Sequence, residues 1–360
     1  MSAYHLIHGG DIYTAMESGC TRPLDFSANI GPLGLPPAVA AAAKEAIEDC
    51  TAYPDPLCRQ LTGALAQAEG VPARQIICGN GAAELLFRFA YALRPQKALL
   101  LAPGFAEYEQ ALAAAGCEIT YQFLQREQKF FPTASLLEAI QPDIDVVMLC
   151  NPHNPTGVLM EPDFCRAVAD RCRDTGTWLL MDECFLELTD TPGRHTVKPL
   201  LESHERLFIL KAFTKLYAMP GLRLGYGLCA DSKLLERMAV CGQPWSVSVP
   251  AQAAGIQALK ETAYVEQTRM LVKEERAFLL EGLRQLPLET FVGTANFLFF
   301  RAPGIQDLHQ QLEKQGILIR SCGNYRGLTL EYYRVAVRTR EDNRRLLAAL
   351  GTVLGERMES

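Results

Sequence analysis

Short, continuous apolar runs recur between residues 76 and 229, and segments with helical periodicity separate them. A run without polar alternation is typical of a strand that is covered on both faces, as the strands of parallel sheets are. We therefore predict an α/β protein whose large domain is a mostly parallel sheet flanked by helices. The predicted strands are 76–78, 98–102, 146–150, 178–181, 207–210 and 224–229, and the predicted covering helices are 105–115, 136–140 and 162–174.

The pattern changes after residue 250. A long helical stretch reaches about residue 286, with an interruption near 262; short strands at 297–300, 317–320 and 333–337 follow, with helices at 307–315 and 342–354. These elements predict a smaller α+β domain. The first 35 residues are rich in glycine and proline, so we expect a loop-dominated arm that packs with it. The predicted domains are 37–250, and 1–36 plus 251–360.

The stretch LFILKAFTKLYAMPGLRLGYG, residues 207–227, carries the strongest chemical signal. An apolar strand ends in a polar turn that holds Thr214 and Lys215, and the chain then returns as another strand. Ligands of open α/β sheets bind at such strand ends. Lys215 could form a Schiff base with pyridoxal phosphate (PLP), while Thr214 and Arg223 bind its phosphate. On this stretch alone, an ordinary surface lysine is the alternative.

Two further segments follow predicted strands and suit the same cofactor. GNGAAE, which includes Gly81 and Ala82, opens a helix whose backbone N–H groups could approach a phosphate. Phe105, in the word APGFAEY, could stack on a planar ring. A plain turn and ordinary core packing are the respective alternatives.

Asp182 and the turn that contains Asn154 also follow predicted strands directly. The word NPHNPTG builds a rigid turn around Asn154, whose amide could bond a phenolic oxygen. Four apolar residues immediately precede Asp182, so its carboxylate is expected to be buried, and an unpaired buried carboxylate would cost free energy. Paired with a protonated pyridine nitrogen, it would keep PLP an electron sink. A helix cap or a surface acid is the alternative for Asp182.

Arg320 and Arg334 lie among apolar residues in ILIRS and YYRVAVR, in the predicted small domain. Arginines in such surroundings need an anion, and two of them suit a substrate with two anionic groups. Structural salt bridges are the alternative.

Charge and cysteine usage exclude several classes of protein. A net charge of −6 and a pI near 5.6 argue against a nucleic-acid partner. The N-terminus has no signal-peptide pattern and no stretch has the length of a membrane span, so we expect a cytoplasmic protein. The 12 cysteines are dispersed, often within apolar runs, and we expect reduced core residues. We predict no metal site, because neither C-x-x-C nor H-E-x-x-H occurs.

Taken together, these motifs resemble the fold-type I PLP enzymes of the class I/II aminotransferase superfamily. The shared features, in order, are NPxNPTG, a strand-terminal Asp, a hydroxyl residue before Lys, and Gly-Leu-Arg-x-Gly. Over nearly its whole length the chain is similar to the threonine-phosphate decarboxylases of cobalamin biosynthesis, in words such as HGG, DFSANI, PGFAEY and ILIRSC. The histidinol-phosphate aminotransferases are close relatives.

The resemblance implies a role for each site residue. It implies that Lys215 carries the Schiff base, Asp182 meets the pyridine nitrogen, Asn154 meets the phenolic oxygen and Phe105 stacks. The implied ligands of the cofactor phosphate are Gly81, Ala82, Thr214, Arg223 and, from the neighbouring subunit of a homodimer, Tyr53. The implied substrate ligands are Arg334 and Asn29 for the carboxylate, and Arg320 and His8 for the phosphate.

The implied reaction is decarboxylation of L-threonine O-3-phosphate to (R)-1-amino-2-propanol O-2-phosphate, with L-serine O-phosphate as a further candidate substrate. The alternative is a histidinol-phosphate aminotransferase, since both reactions use the same residue types. Intact Lys215 and Asp182 argue against a binding protein without activity. Two departures concern the site: Phe185 stands where many aminotransferases have Tyr, and Gly31 stands where the decarboxylases are expected to have Asn.

Overall fold

A computed structural model of the protein describes residues 8–17, 19–20 and 22–358. The strands are β1 (Leu24–Asp25), β2 (Ile76–Gly79), β3 (Lys97–Ala102), β4 (Glu118–Phe123), β5 (Val146–Cys150), β6 (Trp178–Asp182), β7 (Leu207–Ala212), β8 (Gly225–Cys229), β9 (Glu289–Phe291), β10 (Phe297–Arg301), β11 (Ile317–Leu318), β12 (Arg320–Ser321) and β13 (Tyr332–Ala336).

The α-helices are α1 (Ile12–Glu17), α2 (Pro37–Glu45), α3 (Arg59–Glu69), α4 (Ala82–Leu93), α5 (Ala106–Ala114), α6 (Ala134–Ala139), α7 (Pro162–Thr175), α8 (Pro192–His195), α9 (Phe213–Leu216), α10 (Ser232–Cys241), α11 (Val249–Ala258), α12 (Thr262–Arg284), α13 (Leu308–Glu313) and α14 (Arg340–Met358). In the part of the chain that the structure describes, no helix is both long and apolar enough to cross a bilayer.

The main sheet has seven strands in the order β2-β8-β7-β6-β5-β3-β4, and β8 alone runs antiparallel to the others. The central strands β5 and β6 are buried along their whole length. Successive side chains of β5 enter different cores: Val147 packs on one face of the sheet and Met148 on the other. This covering of both faces confirms the predicted mostly parallel α/β sheet.

The second sheet is antiparallel, in the order β12-β13-β10-β9. Its outer face packs against α12, α13 and α14 in a separate apolar core. In the N-terminal segment, β1 pairs in parallel with β11, and Phe26 is fully buried in this same core. The segment therefore contains α1 and β1, which the loop-dominated prediction missed. The domain boundaries at 36/37 and 250/251 stay a prediction.

Other sequence predictions were wrong in detail for local physical reasons. The strand β4 escaped prediction because it is an edge strand with alternating polar residues and no buried position. The predicted turn at Thr214 and Lys215 is the short helix α9. All 12 cysteines are free, but Cys50 and Cys241 are exposed rather than in the core.

A buried ionic cluster joins α3 to β7 and β8. Glu69, the last residue of α3, forms salt bridges of 3.0 Å with both Lys211 and Lys198, and accepts a hydrogen bond from the Tyr226 hydroxyl. Burial alone would raise the pKa of Glu69, but Lys211 and the Tyr226 hydroxyl outweigh it and lower that pKa to about 2. The carboxylate thus stabilises the folded state above its unfolded pKa, and this contribution is lost as the pH falls towards 2.

We expect the free energy of unfolding to fall between about pH 5 and pH 2 by up to ~3 kcal/mol because Glu69 takes up a proton. Glu69→Gln should lower stability at pH 7 and flatten this acid dependence, as measured by urea unfolding across the pH range. Glu45→Gln, at an exposed glutamate of α2, is the control and should leave the slope unchanged. Equal acid dependence in wild type and Glu69→Gln would contradict this account.

Candidate active site

The carboxyl ends of the neighbouring strands β3, β5, β6 and β7 border one cavity of about 520 Å³. Four predicted site residues at or just after these strand ends line the cavity: Phe105, Asn154, Asp182 and Lys215. The residues are far apart in sequence, and parallel pairing of the strands brings their ends to one edge of the sheet. The structure thus brings together the predicted ring-binding residues.

Lys215 lies in α9, directly after β7, and its Nζ is 5.3 Å from the centroid of the Phe185 ring. Burial and the nearby Arg334 charge lower the pKa of Lys215 to about 8. A useful fraction of this amine is therefore neutral and nucleophilic near neutral pH. Lys211, on β7 itself, differs: Glu69 and Glu187 pair with it.

Both carboxylate oxygens of Asp182 accept hydrogen bonds, which fix the orientation of the side chain. The Cys184 backbone N–H donates to Oδ1 at 2.9 Å, and the Tyr108 hydroxyl donates to Oδ2 at 2.6 Å. Burial raises the pKa of Asp182, and these hydrogen bonds oppose that rise. Sequence reasoning missed Tyr108, although it lies only three residues after Phe105 in the same motif.

A cradle for an anion lies at the start of α4. Gly81 has φ +81°, and a Cβ on it would lie 2.5 Å from Nη2 of Arg223. Glycine is therefore required for the guanidinium to lie against the first turn of α4, whose backbone N–H groups and helix dipole favour a phosphate. Ala82, Thr214 and Arg223 line the cavity next to Lys215. These features fit the phosphate of PLP.

Arg320 and Arg334 are direct register partners on the antiparallel strands β12 and β13, and both reach the cavity. Like charges directly opposite each other in a sheet are destabilising unless an anion neutralises them. Arg334 donates to the neutral acceptors Asn154 Oδ1 and Ser27 O, the latter at 3.1 Å. Its buried Nε has no hydrogen-bond partner among the described residues.

The side-chain amide of Asn29, which lines the same cavity, also lacks hydrogen-bond partners among the described residues. Its side chain is buried, and neither Oδ1 nor Nδ2 has a hydrogen-bond partner within the described ranges. Buried polar atoms are normally paired, so the amide of Asn29 and Nε of Arg334 indicate where a polar ligand binds.

His8, Glu107 and Arg320 also line the cavity. His8 Nε2 is 3.2 Å from Glu107 Oε1, and the Asn324 side chain accepts a hydrogen bond of 2.9 Å from Arg320. Sequence reasoning missed Glu107 because its position in the first turn of a helix is also typical of a simple dipole effect.

Tyr53 does not line this cavity. Its side chain is 78% exposed and stacks on Trp245, with ring centroids 4.5 Å apart. The implied contact across a subunit interface therefore stays a prediction.

The two departures have clear structural settings. Phe185 is buried in the cavity wall and packs edge-on against Phe297. Gly31 donates its backbone N–H to Lys215 O at 2.8 Å, and a Cβ on Gly31 would lie 2.9 Å from that same oxygen. A side chain at position 31 would therefore push the N-terminal segment away from α9.

The fold and this set of residues define a PLP-dependent enzyme of fold type I. The family model for aminotransferase class I and II matches residues 21–350, and the chain belongs to that family. This confirms the predicted fold class and the predicted cofactor.

Among its relatives, the chain is 42% identical to the threonine-phosphate decarboxylase of Salmonella typhimurium, over 98% of each chain. It is 32% identical to the histidinol-phosphate aminotransferase of Symbiobacterium thermophilum, over 94% of this chain and 93% of that one. The crystal structure of the histidinol-phosphate aminotransferase from Clostridium acetobutylicum is similar with a TM-score of 0.87, at 30% identity over 92% of this chain and 99% of that one.

Proposed function

We propose that this chain is a PLP-dependent decarboxylase that converts L-threonine O-3-phosphate to (R)-1-amino-2-propanol O-2-phosphate in cobalamin biosynthesis. The observation that carries the proposal is the 42% identity, over nearly the full length of both chains, to a threonine-phosphate decarboxylase. Arg320 and Arg334 are register partners on adjacent strands and both line the cavity, which supports a substrate with two anionic groups.

The residues around the cavity suit the parts of the cofactor. Lys215 would form the Schiff base, Asp182 would pair with the pyridine nitrogen, Asn154 would donate to the phenolic oxygen and Phe105 would stack on the ring. The proposed ligands of the cofactor phosphate are Gly81, Ala82, Thr214 and Arg223. Bound in this way, PLP supplies an electron sink for the pair released from a bond to the substrate Cα.

The chain's own contribution to the decarboxylation is orientation of the substrate. Arg334 and Asn29 would hold the substrate carboxylate, while Arg320 and His8 would hold the phosphate. Fixing both ends of the molecule leaves few orientations of the bond between Cα and the carboxyl group. Such positioning contributes much of the rate enhancement of enzymes.

Lys215 is also suited to proton transfer. Loss of the carboxyl group leaves Cα in need of a proton, and an amine whose pKa is about 8 can donate one near neutral pH. Delivery of this proton to Cα gives an amine product, whereas an aminotransferase leaves the amino group on the enzyme.

Release of CO2 from three amino acids tests the substrate proposal. We expect phosphothreonine to be decarboxylated and threonine to be almost inert, because the phosphate contacts are lost. Phosphoserine should react about 10- to 200-fold less efficiently, since one methyl group contributes about 1–3 kcal/mol in a pocket. Equal rates with threonine and phosphothreonine would contradict the proposal.

We further propose a homodimer in which Tyr53 contacts the cofactor phosphate of the partner subunit. Its exposed ring, stacked on Trp245, is available for such a contact. Tyr53→Phe and Lys215→Ala subunits mixed in equal amounts should then be more active than either variant alone, because half of the dimers are hybrids with one intact site.

The control for subunit mixing is the pair Asp182→Ala and Lys215→Ala. Asp182 and Lys215 of one site come from the same chain, so each site of a hybrid dimer lacks one of the two side chains. That mixture should stay inactive in the same assay. No recovery with the Tyr53→Phe mixture, after exchange of subunits has been verified by mass, would contradict the shared site.

A further inference from the structure

Glu107 is a carboxyl group of the cavity that the proposed reaction does not use. Its side chain is 14% exposed and lines the same cavity as Lys215 and Arg320. Oε1 lies 3.2 Å from His8 Nε2, whereas Oε2 is buried and has no hydrogen-bond partner among the described residues. Leaving such an oxygen unpaired costs free energy, so Oε2 indicates a contact that a ligand completes.

The groups that face Glu107 come from several elements. His8 belongs to the N-terminal segment, Arg320 to β12, Lys215 to α9 and Asp182 to β6. Burial raises the pKa of Glu107 to about 7; Lys215 and Arg320 oppose this rise, and Asp182 adds to it. Burial and the Arg320 charge lower the pKa of His8. Near neutral pH, Glu107 therefore exists both as the acid and as the carboxylate.

The two forms of Glu107 would act on a phosphate in opposite ways. A phosphate ester dianion between His8 and Arg320 can only accept hydrogen bonds, and an ionised carboxylate beside it would repel it. A protonated carboxyl group would instead donate an O–H···O⁻ hydrogen bond, one of the strong kinds of hydrogen bond.

We propose that Glu107 binds the substrate phosphate in its protonated form, with Oε2 donating a hydrogen bond to a phosphate oxygen. The inference rests on the proposed function only in requiring a substrate that carries a phosphate group. Binding then draws a proton into the site wherever the free enzyme holds Glu107 ionised. Above about pH 7 the affinity for a phosphorylated ligand should fall, approaching tenfold per pH unit.

Calorimetric titration of the holoenzyme with 3-phosphoglycerate tests this directly. The ligand carries a phosphate ester and a carboxylate but no amine, so it cannot react with the cofactor. Titration at pH 8 in two buffers of different ionisation enthalpy counts the protons taken up. We expect about one proton per site for wild type and well under half of that for Glu107→Gln, whose amide donates without a proton.

The affinities give a second readout. Glu107→Gln should bind at least as tightly as wild type at pH 8 and change less between pH 7 and 8.5. Glu107→Leu, which fills the space but cannot donate, should bind at least tenfold more weakly than Glu107→Gln at pH 6.5. The matched control is Glu109→Gln, on the same helix with its carboxylate paired to Arg326, and it should behave as wild type.

Equal proton uptake in wild type and Glu107→Gln would overturn the inference, as would a Glu107→Gln affinity that is reduced by the same factor at every pH. Absence of 3-phosphoglycerate binding to wild type would also overturn it. The proton uptake measures ligand binding and does not depend on which reaction the enzyme catalyses. An enzyme that transfers the amino group of a phosphorylated substrate would retain the proton uptake and fail the CO2 assay.

Discussion

Replacing Lys215 with alanine is expected to lower turnover by about 10⁴-fold or more, because both the Schiff base and the proton donor to Cα are lost. The visible absorbance of the holoenzyme should disappear with it. Borohydride reduction of the wild-type holoenzyme should attach the cofactor to the peptide that contains Lys215, and mass spectrometry can identify that peptide.

The matched control is Lys273→Ala, at a lysine whose side chain is 69% exposed on α12. It should retain the absorbance, the reducible adduct and the activity. Lys211 is the other lysine near the strand end, but its salt bridges to Glu69 and Glu187 keep it charged. An adduct on Lys211, or unchanged absorbance in Lys215→Ala, would contradict the assignment.

The second large effect is expected from Arg334. Removal of one partner of a buried charge pair costs about 2–5 kcal/mol, so Arg334→Gln should lower kcat/KM for phosphothreonine by roughly 30- to 4,000-fold. Arg320→Gln should also lower kcat/KM, but by weakening the phosphate contact. The two effects can be separated with phosphoethanolamine, which has the amine and the phosphate but no carboxylate.

Phosphoethanolamine should inhibit Arg334→Gln about as well as wild type, and should inhibit Arg320→Gln much less. Arg338→Gln is the matched control, because Arg338 is paired with Asp342 through a 3.0 Å salt bridge. Its kinetics should stay close to wild type. If loss of inhibition followed Arg334 instead of Arg320, the assignment of carboxylate and phosphate ends would be reversed.

The buried strands could be predicted from the sequence because their burial on both faces produces uninterrupted apolar runs. The strand β5 was predicted with its observed limits for this reason. Edge elements lack that signal: β4 is half-exposed and polar, and the three-residue β9 is too short to produce a pattern. The segment around β1 was predicted as a loop because its pairing with β11 joins residues nearly 300 positions apart.

The candidate site shows the same division. Residues in local motifs, such as Asn154 and Lys215, could be proposed as site residues from the sequence motifs that surround them. Tyr108 and Glu107 could not, because their significance comes from contacts with Asp182 and His8 that only the folded chain creates. Local patterns carry no information on which side chains remain without partners in a cavity.

The central claim is that this site breaks the bond to the carboxyl group and keeps the amino group on the product. Phosphothreonine labelled with ¹³C at the carboxyl carbon and ¹⁵N at the amino group tests it, in the presence of 2-oxoglutarate. We predict ¹³CO2 together with a phosphorylated amine that retains ¹⁵N. Transfer of ¹⁵N to glutamate, with ¹³C retained in a keto acid, would contradict the account.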